Sequence, residues 1–95
     1  MNSSEIKRCM NAVNSAINYI TIAVSREEDT RTNLVNAKNN LKDALGGVPA
    51  SNMNSSIDGL IRQCDSSLSS LRTNLSRLRT IYSQYQSEYN QAKNK

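Results

Sequence analysis

Stepping alternately by four and three residues from Ile57 visits Ile61, Cys64, Leu68, Leu71, Leu75, Leu78, Tyr82, Tyr85, Tyr89 and Ala92, eleven positions without a polar interruption. A spacing that averages 3.5 residues places all of them on one face of an α-helix, and keeps that face against a second helix when the two wind left-handedly around each other. The same walk from Ile6 visits Met10, Val13, Ile17, Ile20, Val24, Glu27, Arg31, Leu34, Lys38, Leu41 and Leu45, where nine of twelve positions are apolar. Two such stripes in one chain call for two long helices packed stripe to stripe.

What separates the stripes is the segment Leu45-Gly46-Gly47-Val48-Pro49-Ala50-Ser51-Asn52, which holds the only Gly-Gly pair and the only proline. Glycine supplies the left-handed conformation that ends a helix, and Pro49 prevents its resumption. Ser55, with Asp58 three positions later, offers an N-cap for the second helix, and a start at Ser51 or Asn52 is the alternative. The sequence therefore predicts an all-α fold, a single helical-hairpin domain spanning 1–95, with helices over about 3–45 and 55–92 and a turn over about 46–54. At 1.5 Å per residue the helices would be ~64 and ~57 Å long, matched well enough to lie antiparallel as a coiled-coil-like pair.

Composition agrees with so simple an architecture. Three glycines and one proline leave little for further turns, and with no Phe or Trp and only four tyrosines, burial must come from Leu, Ile, Val, Ala and Met. Abundant Ser and Asn suit a solvated helix exterior, and the apolar periodicity decides against disorder. A lone pair of helices of this size should be marginally stable, so a second chain is expected.

The polar stretch over residues 25–33 interrupts the first stripe. It reads either as a solvated part of a continuous helix, supported by pairs such as Glu27 with Arg31, or as a kink or polar register lock opposite Leu68 and Leu71. If the turn pairs residue numbers summing to about 99, Cys9 lies near residue 90 and Cys64 near residue 35, some ~39 Å apart at helical rise. They cannot then form a disulfide within one hairpin. Cys64 takes a seam position as a small core hydrophobe, while Cys9 is freer.

Groups for chemistry are scarce. The chain has no histidine and no C-x-x-C spacing, which excludes the common zinc patterns and removes the usual general base. Glu27-Glu28-Asp29 points in successive directions around a helix and makes no carboxylate pair, and Gly46-Gly47 lacks the spaced glycines and lysine of a phosphate loop. Neither catalytic residues nor a cofactor or metal site are expected, and the chain reads as non-enzymatic.

The net charge of +4 is modest. Six basic against five acidic residues lie before residue 54, and six against three after it, with Arg62, Arg72, Arg77, Arg79, Lys93 and Lys95 spread out. That pattern lacks the dense basic stripe of a nucleic-acid binder. No stretch approaches the ~20 apolar residues of a membrane span, and the N-terminus lacks a cationic region followed by an apolar run. The reading is a chain that is cytoplasmic when synthesised and, if exported, exported without a signal peptide.

Beside the first stripe, Cys9, Ala12, Ala16, Tyr19 and Ala23 form a second one over the N-terminal half of helix one. Small residues permit close helix approach, and a face this wide exceeds what one opposing helix covers. It reads as a partner surface, against the plainer reading of a broad core face.

A helix of about forty residues, a turn containing Leu45-Gly46-Gly47, a matched second helix and a tyrosine-rich end resemble the ESAT-6-like or WXG100 superfamily of small bacterial type VII secretion proteins. That family has Trp-x-Gly at the turn, and this chain keeps only the final glycine. Its members or their partners carry a Tyr-x-x-x-Asp/Glu export signal after the second helix, for which Tyr85-Gln86-Ser87-Glu88, followed by Tyr89, is the nearest arrangement, one residue shorter. The resemblance implies a homodimer or a heterodimer with a related helical protein, assembled as a four-helix bundle, and a role as a secretion substrate or as the targeting partner of a larger LXG-type toxin. Pro49-Ala50-Ser51-Asn52 is in turn similar to the Pro-Ser-Asn-Pro turn of type III secretion needle proteins, which implies a filament subunit as the second reading. A nucleic-acid-binding helical protein is a third.

Overall fold

The computed structural model describes residues 1–45 and 51–94. They form two helices, α1 (Ser3–Ala44) and α2 (Ser51–Lys93), of 42 and 43 residues, paired as a helical hairpin, with no strand among the described residues. The expected turn residues Gly46, Gly47 and Pro49 lie outside the described residues, whereas Leu45 closes the end of α1 by donating its N–H to the Leu41 carbonyl at 3.1 Å.

α1 begins with a cap formed by Asn2, whose side-chain Oδ1 accepts the Glu5 N–H at 2.9 Å while its carbonyl accepts the Ile6 N–H at 3.1 Å. One of the donors that a helix leaves orphaned at its start, the Glu5 N–H, is thereby satisfied, the Ile6 bond is the first of the helix itself, and the Glu5 carboxylate adds a favourable charge in the first turn. Serine and threonine, indifferent helix formers, are accommodated by bonding back to the preceding turn. Thr21 donates to the Ile17 carbonyl, Thr30 to Arg26, Ser56 to Asn52 and Thr80 to Ser76.

The second helix starts four residues earlier than the Ser55 cap implies, at the alternative position Ser51. Ser55 therefore lies inside α2, where its N–H already has a place in the helical ladder, and Asp58 instead accepts a hydrogen bond from the Lys38 ammonium at 2.6 Å. The earlier start also resets the register. Arg31 pairs with Asp65, Lys38 with Asp58, and Lys7 sits over Tyr89, each pair having residue numbers that add up to 96 instead of 99.

Contacts divide the chain into two compact units, Met1–Ala23 with Leu71–Lys95, and Val24–Ser70. In the first, Ile6 and Met10 of α1 and Leu75 of α2 are buried, and Val13, Ile17, Ile20, Leu71, Leu78, Tyr82, Tyr85, Tyr89 and Ala92 are half-buried. In the second, Cys64 and Leu68 are buried, flanked by half-buried Val24, Leu34, Leu41, Ile57 and Ile61. Every position of the α2 stripe is thus at least half withdrawn from water, as is every position of the α1 stripe except Leu45. No described side chain is fully buried, because one neighbouring helix covers only one side of another.

Candidate functional site

Two surfaces are distinctive, one in each unit. In the unit formed by Met1–Ala23 and Leu71–Lys95, the second stripe of α1 divides along its length. Cys9, Ala16 and Ala23, at seven-residue steps beside the seam, are half-buried, whereas Ala12 and Tyr19 face outward, Tyr19 being 75% exposed. Ile22, three positions beyond Tyr19 on the same face, is 49% exposed, and Ile81 of α2 is 38% exposed.

Sequence reasoning missed Ile22 and Ile81 because neither falls on the four-three walk. Their signal was available nonetheless. Ile22 continues the Ala12, Tyr19 face, and Ile81 sits immediately beside the seam position Tyr82.

The tyrosines at the end of α2 serve packing in this unit. Tyr85 lies beside Cys9. The Tyr85 pKa is raised, first by the charge a Cys9 thiolate would place beside the phenolate, then by hydrogen bonding with Cys9, by burial and by Glu88. The Lys7 ammonium lies 5.5 Å from the Tyr89 ring centroid and the Lys93 ammonium 6.0 Å from it, both within cation–π range. Tyr85, Glu88 and Tyr89 all lie within α2, with Glu88 exposed and the two tyrosines half-buried. No family model, curated protein or solved structure matches this chain.

The other surface is the seam of the unit Val24–Ser70, where the α1 stripe carries Glu27, Arg31 and Lys38 in place of apolar residues. All three are half-buried, and each finds a partner across on α2. Arg31 Nε donates to Asp65 Oδ1 at 2.6 Å, Lys38 Nζ donates to Asp58 Oδ1 at 2.6 Å, and the Glu27 carboxylate lies beside the Cys64 thiol. The hydrogen bond to Asp65, then its charge, raises the Arg31 pKa. Burial pushes the Cys64 thiol up, and the Glu27 hydrogen bond and charge push it further.

The polar stretch is a continuous part of α1 with no break, and its residues divide by helical face. Ser25, Arg26, Glu28, Asp29, Thr30, Thr32 and Asn33 are exposed, while Glu27 and Arg31 turn inward without breaking the continuous helix. Their partners are Cys64 and Asp65, not Leu68 and Leu71, and Arg31 is paired across the hairpin to Asp65.

Groups that might hold a metal do not gather anywhere among the described residues, and no described helix is long and apolar enough to cross a membrane. Arg72, Arg77 and Arg79 are exposed along α2 at intervals of five and two residues, interleaved with Ser, Leu, Thr and Asn. This arrangement provides no dense basic stripe.

Proposed function

We propose that this protein is a non-enzymatic helical interaction protein of the ESAT-6-like kind, assembling with a second hairpin, its own or a related one, through the outer face of the unit formed by Met1–Ala23 and Leu71–Lys95. The observation that carries this reading is Tyr19, a large side chain 75% exposed among Ala12, Ala16 and Ile22. Single exposed hydrophobes are ordinary on any protein, but several together on a helix face otherwise rich in small residues suit the close approach of another helix. Tyrosine contributes a large contact area with few rotatable bonds, as residues at the centre of interfaces do.

In this reading the protein is a type VII secretion substrate or the targeting partner of a larger secreted helical protein. It leaves the cytoplasm, if at all, by a route independent of a signal peptide. Binding of nucleic acid and insertion into membranes form no part of it.

Mass measured by light scattering over a range of concentrations tests the proposal, using the wild type and Tyr19→Glu. A defined dimer for the wild type and a monomer for Tyr19→Glu support it. Ala16→Glu is the less selective substitution because Ala16 is already half-buried. A wild type that stays monomeric alone and when mixed with the helical proteins encoded beside it overturns the reading, and open-ended growth in mass replaces it with the filament-subunit reading.

A further inference from the structure

We infer that the charged seam of the unit Val24–Ser70 is a register-setting device. It makes the native register of α1 on α2 the only well-paired one. An uninterrupted apolar seam carries little register information, since sliding one helix by seven residues again sets aliphatic side chains against aliphatic side chains. The α2 stripe is of that kind, with eleven apolar positions in a row. Register information must therefore come from α1 and from the residues that flank the α2 stripe.

Those flanking residues repeat at steps of seven as Asp58, Asp65, Arg72 and Arg79, while the corresponding step on α1 separates Arg31 from Lys38. The spacings match, so both cations meet an aspartate at once. A slip of seven residues one way sets Arg31 against Asp58, but it moves Lys38 opposite Ser51 and Asp65 opposite the aliphatic Val24. A slip the other way sets Lys38 against Asp65 but drives Arg31 toward Arg72, a contact between like charges. Only the observed register pairs both.

The cost of withdrawing charge from water is limited here, since the four side chains remain 40–52% exposed. What such pairs confer is discrimination among alternatives more than stability, as a polar residue in a coiled-coil seam does.

Two variants test this. In the triple variant Glu27→Leu, Arg31→Leu, Lys38→Leu the α1 stripe becomes continuous, so the chain should remain helical and melt later than wild type. It should also lose uniqueness, giving more than one mass by light scattering, or more than one distance between spin labels at positions 33 and 63 of a single labelled chain diluted in unlabelled protein. In the charge swap, Arg31→Asp and Asp65→Arg should each lower the melting temperature alone, and the double variant should regain most of the loss. A triple variant with the wild-type mass and a single label distance overturns the inference, and so does a double swap no better than the sum of its singles. Neither outcome depends on the outer face bearing Tyr19, whose own test can fail independently.

Discussion

The Arg31 guanidinium donates to the Asp65 carboxylate at 2.6 Å, so a place that the apolar period assigns to a hydrophobic side chain is held across the hairpin by charge. Their side chains are 43% and 52% exposed, which leaves the pair well screened by water. A double-mutant cycle with Arg31→Ala and Asp65→Ala should therefore give only a small coupling, shrinking as salt is added. Chemical denaturation at two ionic strengths measures it. A coupling unchanged by salt would mean that the pair is more enclosed than its exposure indicates.

Leu75 is 8% exposed and lies in the seam of the unit that also contains Ile6 and Met10. Its replacement by Ala should cost about 2–3 kcal/mol, near the low end for buried leucines because a helix pair can partly collapse around the gap. Leu71, only half-buried, should cost less. If urea unfolding shows Leu75→Ala within about 0.5 kcal/mol of wild type, the range of ordinary surface changes, the packed face has been misassigned.

The fold was legible because the apolar period of each helix is long and needs no tertiary information to be recognised. The places where reading failed share a cause. Ser55 and Asp58 form a plausible cap locally, but α2 already begins at Ser51, and Asp58 pairs with Lys38, twenty residues away in sequence, which a local rule does not foresee. Asn2, the cap actually used for α1, was passed over although its type and its position before Ser3 suit the role. The charged seam residues were recognised as an interruption, yet their partners followed only from the register, which depends on where α2 begins. The second stripe of α1 is not one face in the structure, because Ala12 and Tyr19 face outward whereas Cys9, Ala16 and Ala23 lean into the seam.

Gly59 is a glycine in the interior of α2 with room to spare. A Cβ built there would meet only the end of the Arg62 side chain, at 3.9 Å. Glycine within a helix gives up more backbone freedom on folding than alanine does, so Gly59→Ala should stabilise the protein by about 0.5–1 kcal/mol. Thermal melting followed by circular dichroism reads the change. A lower melting temperature would show that something else must approach α2 closely at this position, and repeating the melt at several concentrations would show whether that is a second copy.

The two cysteines should respond to alkylation and to pH in different ways. Cys64 is 5% exposed, and burial together with the neighbouring Glu27 carboxylate holds the thiol protonated, whereas Cys9 is half-buried beside Tyr85. Since the thiolate is the reacting form, iodoacetamide at pH 8 should modify Cys9 first and reach Cys64 chiefly when the chain opens. Mass spectrometry of the digested protein gives both rates, and equal rates in the native state would contradict this placement. The pH dependence follows from the same protons. The folded chain binds the Cys64 and Tyr85 protons more tightly than the unfolded chain does. The stability they contribute is therefore complete below their ordinary values, about 8.5 for a thiol and 10 for a phenol, and is lost as pH rises through the higher folded-state values. Unfolding midpoints in urea should accordingly fall between pH 8 and pH 11. Tyr85→Phe, which has no phenol to ionise, should fall less steeply over the upper part of that range. If the variant and the wild type decline in parallel, Tyr85 does not hold its proton more tightly in the fold, and its contact with Cys9 is not part of the folded hairpin in solution.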